Sequence, residues 1–183
     1  DWAVPTPPPP PVTTPVSWTS AVGVTVSDNN LSKTAAIGWN AGAVSAQQLA
    51  AGDGYVEVTA SETNTYRLFG LSRGNPGVNY TEIDFAIDLA ANAPAIVYEN
   101  GTSRANLGSY RTGDVFRVEV ASGVVRYRKN GTTLYTSAVA PVYPLLVDTA
   151  LYNAGATISS AGVGGGWAVP TPPPPPTPVS WTS

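Results

Sequence analysis

Through the middle of the chain, apolar and small polar residues alternate with a period of two, the pattern of strands that bury one face. Val16-Ser17-Trp18-Thr19 and Val22-Gly23-Val24-Thr25-Val26 open it, and Ser27-Asp28-Asn29-Asn30 supplies a turn cluster. Leu31 to Trp39 predicts a short strand. Val44 to Ala51 is the one stretch that permits a helical turn, confined by Gly42 and Gly52. Strands are predicted again at Tyr55 to Thr59, Tyr66 to Leu71, Tyr80 to Leu89, Ala95 to Glu99 and, more weakly, near Ser103. From Asp114 to Val120, Phe116, Val118 and Val120 share one face, while Val115, Arg117 and Glu119 share the other. Val124 to Lys129 and Thr132 to Thr136 flank Asn130-Gly131, a dipeptide suited to a two-residue hairpin because both residues accept positive φ. Tyr143 to Asp148 and Ala156 to Val163 complete about a dozen short strands, and Gly164-Gly165-Gly166 is expected to release the chain. The prediction is all-β: an antiparallel jelly-roll sandwich of two packed sheets.

The alternation stops at both ends in the same way. Trp2 to Pro11 reads WAVPTPPPPP, and Trp167 to Pro176 repeats it letter for letter. Both copies continue into Val-Ser-Trp-Thr-Ser, at Val16 to Ser20 and at Val179 to Ser183, with Val12-Thr13 missing from the second. Such a copy reads as one period of a tandem array with the start of the next attached. Five consecutive prolines forbid helix and sheet ladders and favour polyproline II. The expected organisation is a Pro-rich linker at 1–15, a sandwich at 16–163, a Gly/Pro-rich linker at 164–178 and the first strand of another repeat at 179–183.

Composition narrows the function. Of 183 residues 43% are hydrophobic and only 11% charged, so polarity comes from Ser, Thr, Asn and Gly. Without Cys or His, disulfides, thiolate metal sites, cysteine nucleophiles and imidazole bases are all excluded. A net charge of -3 with nine scattered Lys and Arg argues against nucleic acid as a partner. No apolar run approaches the ~20 residues of a membrane helix. A cysteine-free, lysine-poor chain that starts at Asp1 without Met is expected to be an internal or processed piece of an extracellular or surface protein.

The runs Gly52 to Val58, Asp84 to Ile87 and above all Asp114 to Tyr135 (DVFRVEVASGVVRYRKNGTTLY) resemble concanavalin A-like lectin/glucanase domains, in particular those of large repetitive bacterial secreted and surface proteins. The resemblance implies a sandwich over roughly 16–163, in a fold that hosts lectins, hydrolases and inert modules alike.

Glu82-Ile83-Asp84-Phe85-Ala86-Ile87-Asp88 resembles the E-x-D-x-E or E-x-D-x-x-E strand of family-16 glycoside hydrolases, but Ala86 and Ile87 stand where the second Glu belongs. Six residues along a strand put Glu82 and Asp88 ~20 Å apart, too far for a retaining or inverting pair. Ile83, Phe85 and Ile87 are expected in the core, with Glu82, Asp84 and Asp88 in solvent or at the sheet rim. Sugar binding without catalysis needs a flat aromatic beside polar groups, and Trp39, Tyr66, Tyr80, Tyr98, Tyr110 and Tyr127 are the candidates. Asp28-Asn29-Asn30 and Asp53-Gly54 read as turns rather than calcium cages. Arg126, Arg128 and Lys129 read as a solvated edge, and the N-x-S/T asparagines Asn30, Asn79, Asn100 and Asn130 as turn residues.

These readings converge on a non-enzymatic structural repeat of an extracellular fibre, filament or adhesin, with no cofactor or metal. It would self-associate through Trp2, Trp18, Trp167 and Trp181 and the prolines Pro7, Pro8, Pro9, Pro10, Pro11, Pro172, Pro173, Pro174, Pro175 and Pro176, by aromatic stacking on polyproline II or by strand donation. The alternative is a carbohydrate-binding module on a stalk, whose mark would be an exposed aromatic on the open face of a sheet.

Overall fold

The computed structural model describes residues 13–171. Fourteen strands are joined by short turns: β1 (Thr14–Pro15), β2 (Trp18–Val22), β3 (Val24–Ser27), β4 (Asn30–Lys33), β5 (Gly42–Thr59), β6 (Arg67–Ser72), β7 (Phe85–Leu89), β8 (Ile96–Glu99), β9 (Thr102–Asn106), β10 (Val115–Ala121), β11 (Val124–Lys129), β12 (Thr132–Thr136), β13 (Leu145–Leu151) and β14 (Thr157–Ala168). One 3-10 turn, Tyr80–Glu82, precedes β7. Three hairpins turn on two residues of positive φ: Asn100-Gly101, Ser122-Gly123 and Asn130-Gly131.

Every strand pair is antiparallel, and the strands form two layers. The first runs β9-β8-β7-β6-β13 to the N-terminal half of β5, whose far side pairs with β2. The second runs β12-β11-β10 to the C-terminal half of β5, then β14, with β4 and β3 beyond. The 18-residue β5 serves both layers by turning through the exposed segment 50–53, where Gly52 has φ +74°. Phe69, Leu71, Phe85, Ile87, Val97 and Val147 from the first layer meet Phe116, Val118, Val125 and Tyr127 from the second in one continuous core. Between the layers the Tyr127 hydroxyl donates to Glu99 Oε1 at 3.0 Å, and Arg104 Nε lies 3.3 Å from Glu99 Oε2. The buried carboxylate is thus partnered from both sides.

Strand β10 shows the predicted alternation, with Phe116, Val118 and Val120 buried. Elsewhere the expectations need correction. The stretch 44–51 is strand, not helical turn: Leu145 and Leu146 pair with Leu49 and Gln48, so sheet pairing overrides local propensity. The strand starting near Leu31 stops at Lys33, because the Thr34 and Ala35 amides both donate to the Gly23 carbonyl and turn the backbone out of the ladder. The sandwich exceeds the expected 16–163 at both ends. Thr14 and Pro15 pair with Val163 and Gly162, and β14 continues through Gly164-Gly165-Gly166 to Trp167 and Ala168. Those glycines do not release the chain. A side chain at Gly164 would strike the Tyr55 ring, and Gly165, at φ +92°, lies against the backbone of Asp53 and Gly54.

Candidate functional site

Strands β6 and β7 are buried on both faces. Their inner residues enter the core, and their outer residues support a second, smaller cluster of Leu68, Ile83, Ala86 and Ala150. Register explains the arrangement: Leu68 pairs with Ala150 of β13 on one side and Asp88 of β7 on the other, and Ala86 pairs with Tyr98 of β8. Onto this floor pack Trp39, Tyr80 and Tyr98.

Five aromatic rings follow one another around the floor. Tyr66 meets Tyr152 edge-on at 6.3 Å between centroids, Tyr152 meets Trp39 at 5.0 Å, Trp39 meets Tyr80 at 4.9 Å, and Tyr80 meets Tyr98 edge-on at 5.7 Å. Each contact is within the range of favourable tilted or edge-to-face pairs. The chain of contacts is open between Tyr98 and Tyr66, and Asp88 lies on the strand between theirs. Trp39, Tyr66 and Tyr152 line a depression of about 290 Å³. Tyr66 is 38% exposed and Trp39 and Tyr152 are half-buried, which leaves an aromatic surface open to solvent.

Hydrogen bonds hold the segments that carry four of the rings. Lys33 is 2% exposed, and its ammonium donates to Asn40 Oδ1 at 2.7 Å, to the carbonyls of Leu151 and Tyr152 at 2.9 and 2.8 Å, and to the Gly38 carbonyl. One buried cation thereby fixes both the loop that carries Trp39 and the chain at Tyr152. Tyr152 N donates to the Tyr66 carbonyl at 3.0 Å, and Tyr66 N to Asn153 Oδ1 at 2.7 Å, extending the β6-β13 ladder by one pair. Tyr80 stands in the 3-10 turn, capped by Asn79.

Two carboxyls share the outer face. Asp148 is buried, accepts from Ser72 Oγ at 2.7 Å and from its neighbour Thr149 N, and burial raises its pKa to about 7, helped by Glu82 and Asp84. Asp88 is 6% exposed, not at the solvent rim as its sequence position predicts, because β7 lies inside the layer, between β6 and β8, and is buried on both faces. Its Oδ1 is buried without a hydrogen-bond partner. Burial raises its pKa to about 7 against the opposing charge of Arg67.

Four of the six aromatic candidates, Trp39, Tyr66, Tyr80 and Tyr98, are brought together. Tyr110 instead packs on Phe116 and donates to the Ala90 carbonyl, and Tyr127 fills the core. Sequence reasoning missed Tyr152, although Asp148, Ala150 and Tyr152 follow the period-two rule that would place it on this face. The basic cluster is engaged: Arg128 pairs with Glu119 at 2.7 Å, Lys129 with Asp114 at 3.4 Å, and Arg126 donates to the Ala121 carbonyl. Asn30 and Asp53 spend their oxygens on the backbone amides of Ser160 and Ser122. Among the described residues no three acidic side chains gather as a metal site, and no helix is long and apolar enough to cross a membrane. Of the residues expected to mediate assembly, Trp18 and Trp167 pack against the core of their own sandwich. Trp2, Pro7 to Pro11, Pro172 to Pro176 and Trp181 lie outside the described residues, as does the strand expected at 179–183.

No protein-family model matches the chain, and no curated protein does. Solved structures share its arrangement. A human SPRY domain aligns with TM-score 0.61 at 14% identity, over 79% of this chain and 96% of that one. The exoplasmic/lumenal domain of VIP36, in a Ca2+/Man2-bound form, aligns with TM-score 0.55 at 10% identity, over 80% of each chain. The carbohydrate recognition domain of Emp46p, in a potassium-bound form, aligns with TM-score 0.52 at 14% identity, over 80% of this chain and 87% of that one. At these identities the likeness establishes the fold, a concanavalin A-like antiparallel jelly-roll sandwich.

Proposed function

We propose that this sandwich is a non-catalytic carbohydrate-binding module of an extracellular protein, and that a sugar ring stacks in the depression formed by Trp39, Tyr66 and Tyr152. The observation that carries the reading is the open aromatic arc on the outer face, with buried carboxyls beside it: apolar sugar faces stack on such rings, and hydroxyls are read by a few polar groups. The carbohydrate recognition domain of Emp46p and the Ca2+/Man2-bound VIP36 domain share the fold and agree with this reading. The test is a glycan array probed with the whole chain and with Trp39→Ala. Binding that the substitution removes supports the module; no binding, or binding indifferent to Trp39, overturns it.

A second reading, compatible with the first, is a repeat unit of a fibre, filament or adhesin, and the duplicated WAVPTPPPPP segment favours it. Trp167-Ala168 closes β14 and Thr14-Pro15 opens the sandwich, so in a tandem array each copy of the segment would link the end of one unit to the start of the next through its prolines. Successive sandwiches would be held apart at ~3.1 Å per spacer residue. Electron microscopy of the native material tests it: filaments with an axial period of one sandwich plus its spacer support the repeat, and isolated single sandwiches remove it.

A further inference from the structure

We propose that the ligand of the aromatic arc is an amine-bearing sugar, a hexosamine with a free amino group, whose nitrogen pairs with Asp88; this rests on the glycan-binding reading above.

Three observations carry the choice of ligand class. First, strand register puts Asp88 on the outer face between Leu68 and Ile96, and so diagonal to Tyr66 and Tyr98, the two end rings of the arc, and electron-rich ring faces attract cations. Second, Asp88 Oδ1 is buried without a donor, which leaves an acceptor whose desolvation is not offset inside the protein. Third, the chain's own cations near the face are committed elsewhere. Lys33 is bonded to Asn40 and to carbonyls, and Arg67 donates to the Glu62 and Thr65 carbonyls with its Nε 3.2 Å from Glu62 Oε1. Among the described residues no ion pair involves Asp88.

A neutral sugar hydroxyl could donate to Asp88, but an amine does so with charge, and such bonds are roughly twice as strong as neutral ones. Burial holds the Asp88 carboxyl near neutrality, at about 7, where it readily takes or gives a proton. Carboxyl and amine need only one proton between them to form the pair, so the site accepts the ligand whichever partner arrives protonated. The apolar faces of the pyranose meanwhile lie against Trp39 and Tyr152. N-acetylation removes the charge and adds bulk at the very atom that Asp88 would hold.

The test is calorimetric titration at pH 7 of the whole chain with a tetramer of glucosamine and with the same tetramer fully N-acetylated. Wild type should bind the amine form at least about ten-fold more tightly, a difference of about 1.4 kcal/mol. Asp88→Asn, nearly the same shape, should abolish that preference, and Trp39→Ala should weaken both tetramers. Wild type that binds both equally, or prefers the acetylated form, overturns the amine assignment without needing any variant to fold. A preference that survives Asp88→Asn overturns the role of Asp88. If neither tetramer binds while the array shows a Trp39-dependent neutral glycan, the amine class is wrong and the module stands. If no glycan binds at all, both fall.

Discussion

The Lys33 ammonium donates to the Tyr152 carbonyl at 2.8 Å and so links the loop after β4 to the end of β13, the two segments that bring Trp39 and Tyr152 within 5.0 Å of each other. Burial lowers the Lys33 pKa, while its four oxygen acceptors favour the charged form. Lys33→Met keeps most of the volume but leaves those acceptors without their donor. It should cost about 3 kcal/mol or more, since removing one side of a buried polar set exposes the desolvation cost of the rest. It should also cut glycan binding by freeing Trp39. Denaturant unfolding and titration on the same variant check both effects.

A different outcome is expected between the layers. Tyr127→Phe removes the hydroxyl that reaches Glu99 and leaves the buried carboxylate with Arg104 as its remaining partner across the core edge. The loss should be about 1–3 kcal/mol in chemical denaturation. Ligand binding should be unchanged, because Tyr127 lies on the other side of the first layer from the aromatic arc.

Stability should rise as pH falls from about 7 toward about 4. Asp88 and Asp148 have folded pKa values raised from 3.8 to about 7, so within that window the folded state binds protons that the unfolded state does not. Their contribution is complete below the unfolded value and lost as pH rises through 7, at most roughly 4 kcal/mol for each group. Glu62 and Asp114 act in the opposite sense. Burial opposes their ionised forms, but hydrogen bonds from Ser61 and Thr157 to Glu62, and from Asn130 and Arg111 to Asp114, outweigh it and hold both pKa values low. Their contribution is lost as pH falls through those lowered values. Melting temperature should therefore peak on the acid side of neutrality. In the double variant Asp88→Asn, Asp148→Asn the rise from pH 7 to pH 5 should disappear; a wild-type curve flat over that range contradicts the burial of both carboxyls.

What could be read from the sequence, and what could not, divides along the number of covered faces. Strand β10 has one buried face, so Phe116, Val118 and Val120 announce it by alternation, and Asn130-Gly131 announces its hairpin by turn chemistry. Strands β6 and β7 are covered twice, once by the core and once by loops, so RLFGLS and FAIDL lose the alternation that would assign their residues to faces. Asp88 and Lys33 were illegible for a related reason. Each is a charged residue whose burial depends on groups from other segments, Tyr98 beside Asp88 and the Tyr152 carbonyl at Lys33. Four of the five rings of the arc are among the aromatic candidates that the sequence offers, but Tyr152 is not, and the assembly of the arc depends on the β6-β13 register and on a loop pinned by one lysine.

The extent of the sandwich gives the last prediction. A unit ending at Val163 would match the apolar alternation but would lack Gly164 to Ala168, which pair with Tyr55, Gly54, Leu49 and Gln48 along β5. It would also lose Trp167, which packs against the core and whose indole lies beside Gly54. Removing a paired strand end and a partly buried tryptophan from the strand that bridges both layers should cost at least about 3 kcal/mol. A chain cut to 13–171 should unfold at the same denaturant concentration as the whole, while one cut to 16–163 should unfold at a clearly lower concentration with a smaller m-value, since less surface is buried. Equal midpoints for the two shortened chains would place the glycines and Trp167 outside the cooperative unit. The Pro-rich spacer would then begin at residue 164 rather than after Ala168.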